Sequence, residues 1–195
     1  MIDEARLIAA AGRGDRNAFE KLVCGRQERV FWTAYQVVGH FEDARDVAQH
    51  VFIRLWQVLP RYRPGLSFDS WLHRITINLA IDACRRRRAR PEVAASEGAG
   101  PVAAPLTASP FQDLRQREIQ RIFLRLARRL SPQQRAVFVL KEMNDLETAE
   151  IAKIMKLTPS TIRNHLYQAR KELRQGLARD YPEYLPPGSP GGKAP

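Results

Sequence analysis

Polar residues of the kinds that bind DNA recur at helical spacing between residues 160 and 174. An arginine donates two hydrogen bonds to guanine in the major groove, while asparagine and glutamine suit adenine, so Arg163, Asn164 and Gln168 could read base edges. Basic residues further along would contact phosphates, which fix register rather than sequence. The candidate set is Ser160, Thr161, Arg163, Asn164, Tyr167, Gln168, Arg170, Lys171 and Arg174. An ordinary helical hairpin with a solvated polar face is the alternative.

The elements around this row resemble a helix-turn-helix motif. A short helix is expected at about 148–155, followed by the turn Lys156-Leu157, and Thr158-Pro159 opens a last helix. Small and apolar residues stand where the two helices must cross: Ile151, Ala152, Met155, Leu157, Ile162 and Leu166. This arrangement would place the polar row on the outward face of the second helix.

A second candidate nucleic-acid surface lies between residues 61 and 90. In the segment Arg61-Tyr62-Arg63 an aromatic ring stands between two cations, a combination that binds single-stranded DNA by stacking and charge. The helix expected from Phe68 to Arg88 carries further polar residues on one side, namely Arg74, Asn78, Asp82, Arg85 and Arg86. The alternatives are a nonspecific basic tail for the arginines and internal salt bridging for Asn78 and Asp82.

A third face belongs to the helix expected between Phe41 and Pro60. Opposite its apolar stripe run Asp46, Gln49, Ile53 and Trp56. A purely solvated face rarely carries isoleucine and tryptophan, so this line predicts a protein-binding surface. Packing of Trp56 under the following loop is the alternative.

Residues for catalysis or metal binding do not assemble in the sequence. The four histidines, at positions 40, 50, 73 and 165, have no ligand spacing to Cys24 or Cys84. No glycine-rich loop that could cradle a phosphate is found. We therefore predict no catalytic residue, no metal, no cofactor and no small-molecule substrate.

The net charge of +11 favours a polyanionic partner. The excess is concentrated, because residues 61–90 carry a net +6 and residues 159–195 a net +3. Two separated basic patches suit two contacts on one long polyanion. Neither a membrane span nor a signal-peptide pattern is found, and the two cysteines suggest a reducing compartment, so a cytoplasmic location without membrane insertion is expected.

Helical periodicity predicts an all-α fold of two small helical domains joined by a flexible linker. The first domain is expected at 1–90, with one or two helices between residues 3 and 38. An Ala/Pro-rich linker follows at 91–111 and a second domain at 112–180, where Ser131 and Gln134 form a capping box. A Pro/Gly-rich tail at 181–195 is expected to be disordered.

The motifs together resemble the extracytoplasmic-function (ECF) group of the sigma-70 family of RNA polymerase sigma factors. Asp43 to Phe52 with Leu55-Trp56, and then Phe68 to Arg86, are similar to region 2 of that family. Leu130 to Arg135, Glu150-Ile151-Ala152 and Thr161 to Leu173 are similar to region 4. The chain departs from the usual pattern at His50 in place of glutamate, at Glu147 in place of a small cap, and at Lys156 in place of a turn glycine.

The resemblance implies an alternative sigma factor that directs promoter-specific transcription initiation. Asp46, Gln49, Ile53 and Trp56 would dock on the β′ clamp coiled coil of the RNA polymerase core. The −10 element would be bound, and melting aided, by Arg61, Tyr62, Arg63, Trp71, Arg74, Asn78, Asp82, Arg85 and Arg86. Region 4 would read the −35 element and touch the β flap. An anti-sigma factor is the implied regulatory partner.

Three alternatives remain at this point. A stand-alone helix-turn-helix regulator would bind duplex DNA without polymerase and would need a dimer surface or an effector pocket. An RNA-binding or antitermination protein would prefer structured RNA. An enzyme would need a nucleophile with its base, or a metal constellation, and the sequence offers neither.

Overall fold

A computed structural model describes residues 4–62, 67–89 and 110–185 of the chain, with the side chains of 110–114 left aside. These residues form nine α-helices and no strand. The helices are α1 (Glu4–Gly12), α2 (Arg16–Cys24), α3 (Gln27–Val38), α4 (Phe41–Val58), α5 (Phe68–Arg88), α6 (Pro110–Leu126), α7 (Pro132–Phe138), α8 (Thr148–Met155) and α9 (Pro159–Asp180). The predicted all-α fold class is confirmed.

Three helices, rather than the one or two predicted, occupy the N-terminal segment. The first break follows α1 at Gly14, whose φ of 95° suits glycine, and Asp15 then caps α2 by accepting from the Ala18 N–H at 3.1 Å. The second break lies at Gly25 and Arg26. The prediction was wrong here because short amphipathic helices share one apolar stripe, and periodicity alone does not show where the chain turns.

Side-chain caps fix the starts of the helices that carry the candidate sites. Ser67 accepts from the Ser70 N–H at 3.1 Å, so α5 begins at Phe68, as predicted. Ser131 and Gln134 form the predicted capping box at α7. Thr158 accepts from the Thr161 N–H at 3.2 Å and sets the first turn of α9. Each cap contributes about 1 kcal/mol to its helix.

The first unit, residues 4–89, buries its core between α3, α4 and α5. Tyr35, Val51, Leu55 and Ile77 are almost fully buried there. A short 3-10 helix at Leu59–Arg61 continues α4 and leads the chain towards α5. The three long helices therefore hold the faces of α4 and α5 in fixed orientations.

The second unit, residues 110–185, packs α6, α7 and α8 around the inner face of α9. Leu140, Ile151, Ile154 and Ile162 fill this core. At Gly176 a Cβ atom would lie 2.8 Å from the Leu126 side chain, so glycine permits the close approach of α6 to α9. A π-helical turn at Val139–Met143 extends α7 towards α8.

Candidate nucleic-acid and polymerase interfaces

The turn between α8 and α9 forms without glycine. Lys156 adopts the left-handed conformation, with φ 55° and ψ 43°, and its N–H bonds to the Ala152 carbonyl. A non-glycine residue there costs about 1 kcal/mol. Glu147 stands at the N-cap of α8 without capping it, and its carboxylate pairs with Lys141 at 3.4 Å. Both departures from the family pattern are therefore accommodated in a regular helix-turn-helix.

The helix crossing is built from the predicted residues. Ile151, Ala152, Ile162 and Leu166 are buried, while Met155 and Leu157 are half-buried. With one face of α9 committed to the core, the opposite face must be presented outward.

The outward face of α9, here called the reading face, carries Ser160, Arg163, Asn164, Tyr167 and Gln168. All five are exposed, Tyr167 to 62%. Thr161 is half-buried, and its hydroxyl lies 2.8 Å from that of Thr158. Within the described residues, Arg163, Asn164 and Gln168 have no hydrogen-bond partner. Their donors and acceptors are therefore available to a base edge without breaking an internal bond.

The basic end of α9 is partly engaged. Arg170 donates through Nε at 3.1 Å and through Nη2 at 2.5 Å to one carboxylate oxygen of Glu142. Lys171 and Arg174 are exposed and make no such pair in the described part of the chain. The phosphate-contact role predicted for Arg170 would thus compete with an existing ion pair.

An aromatic cluster lies beside the start of α5. The ring of Tyr62 stands 4.9 Å from that of Trp71 at a tilt of 44°, and 5.8 Å edge-on from Phe68. Tyr62 and Trp71 are both half-buried, whereas Phe68 is buried. Aromatic faces that are partly open in this way can stack on an unpaired base.

Two arginines of the first unit pair with Asp69, the residue that follows Phe68 of this cluster. Arg26 pairs with Asp69 at 2.8 Å and lies over the Phe68 ring at 4.9 Å, and it also pairs with Glu4. Arg29 pairs with the same Asp69 at 2.7 Å. Burial would raise the pKa of Asp69, but hydrogen bonds from Arg29 and Arg26 outweigh burial and lower that pKa. The Arg26–Asp69 ion pair could not be predicted from the sequence, because the two residues lie 43 positions apart.

The polar row of α5 is divided between open and paired residues. Asn78 and Arg86 are exposed, and Arg74 is half-buried. Asp82 lies 3.7 Å from Arg85, which is the internal pairing considered as the alternative for this residue. Arg61 is exposed at the end of the 3-10 helix, while Arg63 lies outside the described residues.

The arginine run at the end of α5 is not uniform. Arg87 pairs with Asp43 of α4 at 2.6 Å and is only partly exposed. Arg88 donates to the Leu130 carbonyl at 3.4 Å. Two of the four cations therefore hold the fold, which leaves Arg85 and Arg86 on the surface.

The predicted docking line on α4 is largely open. Asp46 and Gln49 are exposed, and Ile53 is exposed to 49%, an unusual fraction for an isoleucine. Trp56 is half-buried, with its ring edge-on to Phe19 of α2 at 4.8 Å. Among the described residues, its ring partner is therefore on helix α2. His50 donates from Nδ1 to the Asp46 carbonyl at 2.7 Å and folds back along its own helix.

Histidines and cysteines do not gather at any of these surfaces. No group of three His, Cys, Asp or Glu residues could hold a metal ion within the described parts of the chain. Cys84 is half-buried, and burial raises its pKa, while Cys24 is exposed. None of the described helices is both long and apolar enough to span a bilayer.

The profile described as Sigma-70 region 2 matches residues 25–90, and that described as Sigma-70, region 4 matches residues 120–173. These matches cover the first unit from Gly25 onward and the helix-turn-helix with its preceding helices. The class of protein is therefore a sigma factor of the sigma-70 type, with its two conserved regions in the expected order.

Relatives with curated names agree on the group within this class. The chain is 30% identical to the ECF RNA polymerase sigma factor SigM of Mycobacterium tuberculosis over 174 residues, 89% of this chain and 84% of the relative. It is 34% identical to SigE of Mycolicibacterium smegmatis over 171 residues, 85% of this chain, and spans only 65% of that relative's length. The chain belongs to the ECF family of RNA polymerase sigma factors, which direct promoter-specific transcription initiation.

Solved structures share the fold. CnrH, in complex with the cytosolic domain of CnrY, matches with a TM-score of 0.67 and 24% identity, covering 91% of this chain and 99% of CnrH. The sigma factor RpoE of Bartonella quintana, in complex with the anti-sigma factor NepR, matches with a TM-score of 0.63 and 20% identity, covering 83% and 98%.

Proposed function

We propose that the chain reads two promoter elements with two different surfaces while docked on the polymerase core by a third. The reading face of α9 binds the −35 duplex, and the Tyr62–Trp71 cluster with the open residues of α5 binds the −10 element. The α4 line of Asp46, Gln49, Ile53 and Trp56 docks on the β′ coiled coil, and the second unit touches the β flap. The corresponding regions are 1–90 and 112–180, joined by 91–111.

The observation that carries this proposal is the row of unpaired, exposed base-reading side chains on α9. Within the described residues, the side chains of Arg163, Asn164 and Gln168 serve no internal bond. The helix beneath them is fixed by a cap and by three buried residues, Ile162, Leu166 and Ala169. Because these side chains have no internal hydrogen bond to break, they can enter a major groove without loss of an interaction in the fold. This favours direct readout of the bases.

For the −10 element, support comes from the half-buried aromatic pair. Melting exchanges base stacking in the duplex for contacts with protein, so an extruded base needs an aromatic surface already in place. Tyr62 and Trp71 provide such a surface, and the exposed cation Arg61 adjoins Tyr62 in the chain. The proposed work is binding and not bond chemistry, so the chain is proposed to act without catalytic residues, metal or cofactor.

An anti-sigma factor is proposed as a further partner, since RpoE of Bartonella quintana, which shares the fold, was solved in complex with one. The chain is proposed to act in the cytoplasm, where RNA polymerase works. A stand-alone DNA-binding regulator remains the rival account. That rival predicts sequence-specific transcriptional effects without any affinity for core.

The test mixes purified chain with bacterial core polymerase and a pool of genomic promoter fragments, and sequences the run-off transcripts. We expect new start sites that share one −35 and one −10 motif and that require the chain. Chain carrying Gln49→Ala should be needed in larger amounts for the same transcript yield. Arg54→Gln, exposed on another side of the same helix, should not have this effect. If no new start sites appear and the chain does not bind core, a stand-alone DNA-binding regulator would be favoured instead.

A further inference from the structure

The docking line on α4 is in contact with a helix that precedes the matched region. The Sigma-70 region 2 profile begins at residue 25, whereas α2 spans Arg16–Cys24. The ring of Phe19 on α2 lies 4.8 Å from the ring of Trp56, and the planes of the two rings meet at 66°. One end of the docking line is therefore packed against a second helix.

Phe19 is held in place by its own helix. Asp15 caps α2 by accepting from the Ala18 N–H at 3.1 Å, and its backbone carbonyl accepts from the Phe19 N–H at 3.1 Å. Ala18 and Leu22, four positions apart on one face of the helix, are buried in the core. Phe19 lies beside this face and is half-buried. The cap and the two buried neighbours therefore fix where its ring stands at the edge of the core.

Trp56 remains able to bind a protein partner while its ring contacts Phe19. The residue is half-buried, and among the described residues its indole N–H has no hydrogen-bond partner. Ile53, one turn earlier on the same helix, is 49% exposed. A partly open indole with an unused N–H is typical of residues that contribute most to protein interfaces. This end of the docking line therefore fits an apolar side chain with a hydrogen-bond acceptor next to it.

The orientation of the Trp56 indole decides whether this end of the line is ready to bind. An indole on a helix surface can adopt several rotamers, and binding a partner selects one of them. Fixing a side chain in one rotamer costs free energy and weakens the complex. An edge-on contact with a second ring has a preferred geometry, so it favours one indole orientation before the partner arrives. The contact with Phe19 therefore reduces the cost of docking.

We propose that Phe19 is a positioning residue for polymerase binding: it orients the indole of Trp56, and Trp56 contacts the core. The inference rests on the proposed docking of the α4 line on the β′ coiled coil. Helix α2 thereby takes part in docking through Trp56, without a polymerase contact of the Phe19 ring itself. A Phe19 with a structural role alone would stabilise the first unit and leave the affinity of the folded protein for core unchanged.

The test is a double-variant cycle on the affinity of the full-length chain for bacterial core polymerase. Phe19→Leu keeps an apolar side chain but removes the ring, so the affinity for core should fall about fivefold. Trp56→Ala should lower this affinity about thirtyfold, and the protein with both substitutions should bind no more weakly than Trp56→Ala alone. Phe19→Tyr keeps the ring and should bind core as wild type does. All four variants should bind a −35 duplex fragment with the affinity of wild type.

Phe31→Leu is the matched control for the loss of a half-buried ring. The ring of Phe31 pairs with three rings that do not belong to the docking line, those of Trp32, Tyr35 and Phe41, at 5.2, 6.0 and 5.3 Å. This variant loses ring contacts within the first unit, as Phe19→Leu does. Its free energy of unfolding in urea should fall, but its affinity for core should equal that of wild type.

Fluorine NMR measures the orientation of the indole directly. The chain has three tryptophans, so protein labelled with fluorotryptophan gives three resonances, and Trp56→Phe identifies the one that belongs to residue 56. In the free protein, Phe19→Leu should shift and broaden this resonance. The resonances of Trp32 and Trp71 should stay in place, and Phe19→Tyr should leave all three sharp.

The outcomes separate the positioning role from the docking role. If Trp56→Ala weakens core binding but Phe19→Leu does not, or if Phe31→Leu weakens it equally, positioning by α2 is overturned while docking stands. A double variant about fivefold weaker than Trp56→Ala would mean that Phe19 binds polymerase independently, which also overturns the inference, as would an unshifted Trp56 resonance in Phe19→Leu. If Trp56→Ala itself binds core as wild type does, the proposed docking role of Trp56 fails instead.

Discussion

The two proposed DNA surfaces are built in opposite ways. On α9 the reading face is exposed, and the side chains of Arg163, Asn164 and Gln168 have no internal partner in the described residues. The opposite face of this helix belongs to the core. At the start of α5 the candidate surface is half-buried, with Tyr62 and Trp71 in contact and Arg26 and Arg29 fixing Asp69 behind them.

This difference matches two kinds of task. Reading a duplex requires donors and acceptors that project into a groove whose shape is already set. Holding an unpaired base requires an apolar surface that exists before the base arrives, because unstacking costs several kcal/mol. The proposed duplex contacts of the second unit are therefore made by individual side chains, whereas the proposed single-strand contacts of the first unit are made by a cluster of packed rings.

The largest effect is expected at α9. Arg163→Ala combined with Asn164→Ala removes two candidate base contacts, each worth about 1–3 kcal/mol of discrimination, so preference for the native −35 sequence should fall about a hundredfold. Competition binding with a randomised −35 library measures this preference. Gln175→Ala, exposed on the same helix but beyond the reading face, should leave the preference as it is. An unaltered preference in the double variant would remove the recognition role from this face.

Loss of the aromatic cluster should give the next largest effect. Tyr62→Ala removes one stacking face, worth about 1–3 kcal/mol, and should lower run-off yield about tenfold on duplex promoters. Templates with an unpaired −10 segment should be affected less, since the melting cost is already met. Tyr62→Phe retains the ring and should remain active. A Tyr62→Ala protein that is equally impaired in −35 binding would indicate misfolding and contradict a local role.

The docking line should show a smaller effect that is confined to protein binding. Gln49→Ala removes one polar contact worth about 1 kcal/mol, so affinity for core should fall about fivefold while −35 duplex binding is retained. Titration of labelled chain with core gives the affinity, and Arg54→Gln provides the comparison on another side of the same helix. If Gln49→Ala weakens DNA binding and leaves the affinity for core intact, Gln49 does not dock on the polymerase.

The smallest effect is expected on the free energy of unfolding when Asp69, which pairs with Arg26 and Arg29, is replaced. The pKa of Asp69 is lower in the folded protein than its ordinary value near 3.8. Its ion pairs therefore stabilise the fold at pH values above 3.8, and this stabilisation is lost as pH falls through the lower pKa of the folded state. Because Asp69 is 40% exposed, the contribution is less than about 1 kcal/mol. In urea unfolding, Asp69→Asn should have the same free energy of unfolding as wild type at a pH below the lowered pKa of Asp69, and a smaller one at pH 7. Glu20→Gln, an exposed control, should have the free energy of unfolding of the wild type at pH 7.

The helices that carry the sites could be predicted from local chemistry. Ser67, Ser131 and Thr158 cap the helices that they were expected to start, and the apolar residues of the helix crossing lie in the core. Caps and periodicity depend on residues within a few positions of each other, which a single sequence displays in full.

Pairings between distant residues could not be predicted. Arg170 with Glu142, Arg87 with Asp43 and Arg135 with the Gln36 carbonyl join separate elements. A run of arginines has the same appearance in sequence whether its members are free or paired. Which cation is left unpaired depends on the tertiary packing. The sequence therefore shows where the arginines are concentrated but not which of them are paired.

The most direct test of the division between the two surfaces is a promoter library randomised at both elements, transcribed by core with the wild-type chain, with Arg163→Ala and with Asn78→Ala. We expect Arg163→Ala to change only the selected −35 sequence and Asn78→Ala to change only the selected −10 sequence. A change in both elements from either substitution, or no change from both, would contradict separate reading by α9 and α5.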